Sequence, residues 1–163
     1  MLSNAHRAAG RYRHRHVHTE HLLLGLLEER CSATGILKSL GLNRDTVKRA
    51  CERRCDKGEN EVEENLRMTP RVQEIFSLAG EEMRALGHTE IDTRHLLLGM
   101  IQEDQGIAGE VLRTFGISQD AVRASIAGKD KEVVESQSHT ARSVSENEKH
   151  PVRKPFWKLL LRT

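Results

Sequence analysis

The chain has 163 residues, with 26 Lys and Arg against 24 Asp and Glu for a formal charge of +2, and 3% aromatic residues. That length suits one ordinary domain with a tail and excludes a large multidomain enzyme. The near-neutral balance and the 31% charged residues describe a soluble, helix-rich chain, and argue against a sheet protein and against a strongly basic nucleic-acid binder.

In chain order, Met1 to Arg13 has no apolar core of signal-peptide type, and no run anywhere approaches the roughly 18 to 20 apolar residues that span a bilayer. The expected location is the cytoplasm. Residues 11 to 21, Arg-Tyr-Arg-His-Arg-His-Val-His-Thr-Glu-His, concentrate imidazole and guanidinium groups. His14, His16 and His18 stand two apart, which suits one face of an extended segment and not of a helix, and the adjacent arginines repel a cation. No metal site and no cofactor is expected. A single aromatic among these basic residues also argues against nucleic acid.

The run His18 to Leu27, His-Thr-Glu-His-Leu-Leu-Leu-Gly-Leu-Leu, returns as Asp92 to Ile101, Asp-Thr-Arg-His-Leu-Leu-Leu-Gly-Met-Ile, at an offset of 74 with six of ten positions identical. The echo resumes at offset 75, where Ala33 to Leu42 matches Ala108 to Ile117. The chain is therefore a tandem duplication. Thr19 and Thr93 are expected to cap the Leu-Leu-Leu-Gly helices, which are apolar on most sides and belong in the interior. Gly25 and Gly99, each costing about 1 kcal/mol against alanine in a helix, point to close helix packing. Leu40-Gly41-Leu42 and Phe115-Gly116-Ile117 are glycine-then-apolar helix endings, and Asn43 and Ser118 are N-caps for a fourth helix in each copy.

Cys31, Cys51 and Cys55 make an odd count without an export signal, so reduced thiols are expected. Cys51 and Cys55 are four apart on an expected helix, but no second cysteine pair joins them as a zinc framework requires. The segment 56 to 65 is acidic and polar and reads as a connector. Thr69-Pro70 then starts a helix with an N-cap and proline at its first position, and Val72, Ile75, Phe76, Ala79, Met83 and Leu86 follow at helical spacing until Gly87. In the first copy Leu2, Ala5, Ala9 and Tyr12 take the places of Phe76, Ala79, Met83 and Leu86. The counterpart of Thr69 would fall before residue 1, and Arg13-His14 stands where the second copy has Gly87-His88, so this helix is expected to lack its glycine stop.

The expected fold is all-α, a pseudo-twofold tandem repeat of two four-helix units forming one compact domain at 1–128, with repeat one at 1–55, a linker at 56–68 and repeat two at 69–128. From Gly128 to His150 large apolar groups are nearly absent, so 129–163 is expected to be a flexible tail. It ends in Pro155-Phe-Trp-Lys-Leu-Leu-Leu-Arg162, where Phe156 and Trp157 are candidates for docking on a partner.

Thr-Glu-His-Leu-Leu-Leu-Gly-Leu-Leu-Glu (19 to 28), Thr69-Pro70-Arg71, Leu86-Gly87-His88 and Thr93-Arg94-His95-Leu96-Leu97-Leu98-Gly99 together resemble the amino-terminal repeat domain of Clp chaperone ATPases, the ClpC type above all, over residues 2 to 128. The resemblance implies a domain that receives adaptors and protein substrates of the Clp system and, in ClpC-type members, recognises phosphorylated arginine. In those members a glutamate of each Thr-Glu-His element faces the guanidinium, and threonines at helix starts bind phosphate. Here Glu20 keeps one carboxylate and Thr69 one threonine, while Arg94 holds the second carboxylate position, where it repels a guanidinium and favours an anion.

No G-x-x-x-x-G-K-[ST] occurs to cradle ATP, and no Gly-x-Ser-x-Gly or His-Glu-x-x-His marks a hydrolase. The expectation is a non-catalytic, monomeric protein-binding module with Glu20, Thr69 and Arg94 as candidate peptide or phosphoarginine contacts. The alternatives are a regulatory partner docking on a full-length Clp ATPase and a degenerate duplicate without clients.

Overall fold

The computed structural model describes residues 1–58 and 66–138, the last ten of these as backbone. Its helices are α1 (Leu2–Arg11), α2 (Thr19–Leu27), α3 (Ser32–Ser39), α4 (Arg44–Glu52), α5 (Pro70–Ala85), α6 (Thr93–Gln102), α7 (Ile107–Thr114) and α8 (Gln119–Ser138). The all-α tandem repeat is thus present as four helices twice. Two short strands were not expected: β1 (His16–Val17) pairs in parallel with β2 (Arg67–Met68), with His16 opposite Arg67 and Val17 opposite Met68. Packing divides the chain into Met1–Ala127 and Gly128–Thr163. The helical backbone of α8 runs past Gly128 to Ser138.

Helix ends follow the punctuation of the sequence. Gly41, Gly87 and Gly116 hold φ of 82, 72 and 72°. Behind them the amides of Leu42, His88 and Ile117 donate to the carbonyls of Leu37, Met83 and Leu112 at 2.9, 2.9 and 3.1 Å, the long bond of a Schellman ending. The first copy keeps this geometry without glycine. Arg13 adopts φ 57° and the His14 amide donates to Ala9 at 3.1 Å. The tertiary fold imposes the turn on a residue that resists it, at roughly 1 to 2 kcal/mol.

The core is built around α2 and α6, whose leucines at 22–24 and 96–98 are all at most 5% exposed. Each lies against the first helix of its own copy at its glycine. A Cβ on Gly25 would sit 2.5 Å from the Ala5 nitrogen, and one on Gly99 2.5 Å from the Ile75 carbonyl oxygen and 3.2 Å from the Ala79 nitrogen. Ala5 and Ala79 are the same position in the two copies, so the glycines serve the same close crossing. α1 has 10 residues against 16 in α5.

The copies are joined by reciprocal contacts. Thr19 and Thr93 are not the N-caps of their helices, as expected from sequence; His18 and Asp92 hold those places. The threonine hydroxyls face the other copy, where Thr19 accepts from the Ala108 amide at 3.4 Å and Thr93 from the Ala33 amide at 3.3 Å. Residue i meets j and j meets i, the mark of a twofold relation. The fourth helices start as expected, with Asn43 accepting from the Asp45 amide at 2.8 Å and Ser118 from the Ala121 amide at 3.2 Å. In the second copy only, the buried Glu82 carboxylate accepts from Arg123 Nε at 2.9 Å and Gln119 Nε2 at 2.8 Å. This bond holds the Arg123 guanidinium above its ordinary range.

Candidate functional site

The residues singled out from sequence lie around the starts of α2, α5 and α6. At α2, the His18 amide donates to Nδ1 of His21 at 2.9 Å, and Nε2 of His21 meets Nδ1 of His14 at 3.0 Å. A backbone amide can only donate, so a neutral His21 carries its proton on Nε2 and passes it towards His14. The second copy repeats this, with the Asp92 amide on Nδ1 of His95 at 2.9 Å and Nε2 of His95 at 2.7 Å from Nδ1 of His88. These imidazoles tie the helix start to the turn before it.

Glu20 is 6% exposed. Its carboxylate receives the Thr19 hydroxyl at 3.5 Å, and no arginine or lysine pairs with it among the described residues. Around it are His14, His21 and two thiols. Cys51 donates to the Glu20 carbonyl at 3.6 Å, and the Cys55 sulfur is 3.8 Å from Nε2 of His21. Burial first, then the neighbouring histidines His14 and His18, pushes the His21 imidazole down to about 3. Burial, with Glu20 next, pushes the Cys55 thiol up to about 12 and raises Cys51 as well. Cys55 is not on the helix of Cys51: α4 stops at Glu52.

Thr69 is the N-cap of α5, with Pro70 after it, but its hydroxyl does not make the expected capping bond. The oxygen is enclosed and has no hydrogen-bond partner. The Thr69 amide donates to Val17 at 3.1 Å, which extends the β1–β2 pairing and brings the α5 start beside the segment leading into α2. The first turn of α5 has no acidic residue, so its partial positive charge is not offset from within the helix. Arg94 is directed elsewhere: its Nε donates to Asp92 at 2.7 Å and its own amide to the same carboxylate at 2.8 Å. The structure therefore sets Thr69 beside Val17 and ties Arg94 to the α6 N-cap.

Sequence reasoning passed over Cys55 and His14 as partners of Glu20. The signal was the run of alternating histidines, which enters an extended segment as their spacing suggested. Phe156 and Trp157, and residues 59–65 of the expected connector, lie outside the described residues. Among the described residues no helix is long and apolar enough to cross a membrane.

The family model for the Clp repeat (R) N-terminal domain matches residues 1–115 and again 67–160. The chain is 34% identical over 157 residues to the chloroplastic chaperone protein ClpC of Pisum sativum, covering 96% of this chain and 17% of that one. It is 35% identical over 100 residues to the negative regulator of genetic competence ClpC/MecB of Bacillus subtilis, covering 61% of this chain and 12% of that one. The chain thus spans less than a fifth of these relatives. Among solved structures, the N-domain of ClpV from Vibrio cholerae aligns with a TM-score of 0.64 at 23% identity, covering 77% of this chain and 78% of that one. The N-terminal domain of ClpD from Arabidopsis thaliana aligns at 0.60 and 22%, covering 80% and 89%. Both likenesses are of fold. With the duplicated helices, the paired histidines and a family match over both copies, the chain belongs to the Clp repeat (R) N-terminal domain family.

Proposed function

We propose that this chain is a non-catalytic protein-binding module for substrates or adaptors of the Clp system, and that the start of α5 takes an anionic group on its client. The observation that carries the reading is the Thr69 hydroxyl, enclosed at a helix N-terminus with no partner. An unsatisfied buried hydroxyl costs about 1 to 3 kcal/mol, and a phosphate oxygen there would supply its acceptor alongside the free amides of the first turn. Arg67 and Arg71, both exposed, flank the position. On this reading Thr69 takes the phosphate of a phosphoarginine and Glu20 its guanidinium. Because Glu20 is 6% exposed, it must swing outward to do so. Arg94, paired with Asp92, keeps the corresponding place in the second copy from accepting a second guanidinium.

A thiol-based enzyme is disfavoured by the same surroundings. Cys55 lies next to His21, but its thiol is pushed up to about 12, the reverse of the lowered value that makes a cysteine nucleophilic.

Calorimetric titration with a phosphoarginine peptide and its unmodified arginine counterpart tests the reading. We expect saturable binding of the phosphorylated peptide alone, weakened about tenfold in Thr69→Ala, as loss of one charge-assisted hydrogen bond requires. Equal binding of both peptides, or of neither, would sink the phosphoarginine assignment.

A further inference from the structure

The first copy gathers more donor atoms around its histidine pair than a helix start needs. We propose that His14, Glu20, His21 and Cys55 form a binding site for a zinc-class divalent cation, in the state in which Glu20 is turned inward and not engaged with a guanidinium. Their ligand atoms all lie within 4.8 Å of one another, the one such group of histidine, cysteine and carboxylate side chains among the described residues.

Three observations carry the assignment. The first is distance. Zinc bonds of about 2.0 to 2.1 Å to nitrogen and about 2.3 Å to sulfur set tetrahedral edges of about 3.3 Å between two nitrogens and about 3.6 Å between nitrogen and sulfur. The observed edges, 3.0 Å from His14 to His21 and 3.8 Å from Cys55 to His21, stand within a few tenths of an ångström. The second is charge. Glu20 is a buried carboxylate whose hydrogen-bond partner is a hydroxyl at 3.5 Å, in an enclosure where an unpaired charge is costly. One carboxylate and one thiolate balance a dication, with two neutral imidazoles completing the set. This mix of nitrogen, sulfur and oxygen suits zinc and its neighbours and not magnesium or calcium.

The third observation is how Cys55 reaches the group. Past α4 the chain runs back against the end of α1, where the Gly58 amide donates to the Tyr12 carbonyl at 2.8 Å. A Cβ at Gly58 would lie 2.3 Å from the Arg13 carbonyl oxygen and 2.8 Å from the His14 ring. Only glycine lets the two segments meet this closely, and the meeting places the Cys55 sulfur beside His14 and His21. The second copy serves as an internal comparison: it has the histidine pair, but Arg94 replaces Glu20, so the pair alone is the scaffold and the added carboxylate and thiol make the site.

Binding has a local cost that makes it visible. A metal on Nε2 of His21 displaces the proton shared with His14, and the neutral ring then carries its proton on Nδ1, which gives up the bond from the His18 amide.

The test uses the full, tag-free chain, stripped of metal and titrated with cobalt(II) and then zinc(II). One equivalent of cobalt should give a thiolate charge-transfer band and tetrahedral visible bands, displaced stoichiometrically by zinc. Cys55→Ser should remove the charge-transfer band and Cys31→Ser should keep it. His14→Gln, at a half-buried position that threatens the fold least, should weaken zinc binding at least tenfold, since even residues that only support metal ligands account for about 10- to 100-fold. In a nitrogen-15 spectrum, zinc should move the His18 amide resonance and leave that of Asp92, its counterpart, in place. Absence of the band, its survival in Cys55→Ser, undiminished affinity in His14→Gln, or an unmoved His18 amide would each overturn the assignment.

Discussion

Around the starts of α2 and α6 the two copies use one scaffold with different polar residues. Both hang a helix start on an imidazole that accepts a backbone amide at 2.9 Å and meets a second imidazole at 3.0 or 2.7 Å. In the second copy the residue before that imidazole is Arg94, turned back onto the Asp92 cap. In the first it is Glu20, buried beside two cysteines and, among the described residues, with no arginine or lysine paired to it. The difference shows that a duplicated backbone can be held by a small invariant set of contacts while the charge enclosed by it changes sign. The helix ends diverge in the same way: Gly87 adopts the left-handed turn freely, and Arg13 is forced into it.

The largest expected effect is a dependence on pH carried by the first copy's His21. Burial holds His21 at about 3 against an ordinary 6.5, so between these values the unfolded chain binds the proton and the folded chain does not. The stabilisation is complete above about pH 6.5 and is lost as pH falls towards 3, at up to about 1.4 kcal/mol per pH unit. Urea unfolding of chelator-treated protein at pH 7 and pH 5 should show the loss, and His21→Gln should reduce it. An unchanged slope in that variant would remove His21 as the cause.

A smaller effect should be shared. Gly25→Ala and Gly99→Ala each drive a methyl into backbone at 2.5 Å. Overpacking of about 1 to 3 kcal/mol is partly offset by about 1 kcal/mol of helix propensity. The net loss, up to about 2 kcal/mol by denaturant unfolding, should be alike in the two variants; a loss confined to one would break the equivalence of the two crossings. The smallest effect runs in opposite directions. Arg13→Gly should stabilise by about 1 kcal/mol and Gly87→Arg destabilise by about as much, and calorimetric melting of the two variants checks both signs.

Much of this was legible in the residues. The offset repeat, the three glycine endings and the caps at Asn43 and Ser118 are local signals, and each appears where it was expected. Gly25 and Gly99 announced close packing because nothing else explains glycine twice in an apolar helix. The readings that failed required knowledge of the other copy or of a distant segment. Thr19 and Thr93 look like caps of their own helices, and their hydroxyls are instead taken by amides about 60 to 90 residues away in sequence. Cys51 and Cys55 look like helical neighbours, but α4 ends between them.

By itself, then, the order of residues determined the helices, their ends and the twofold plan, because capping, periodicity and glycine conformation act within a few residues of the chain. Tertiary structure alone decided that Arg13 takes a left-handed turn, that Thr69 keeps an unpartnered hydroxyl, and that Glu20, His14, His21 and Cys55 share one enclosure. Those outcomes depend on which surfaces meet: the contact of Gly58 with Tyr12, and the burial that joins groups up to 41 residues apart, are not encoded in any local stretch of the sequence.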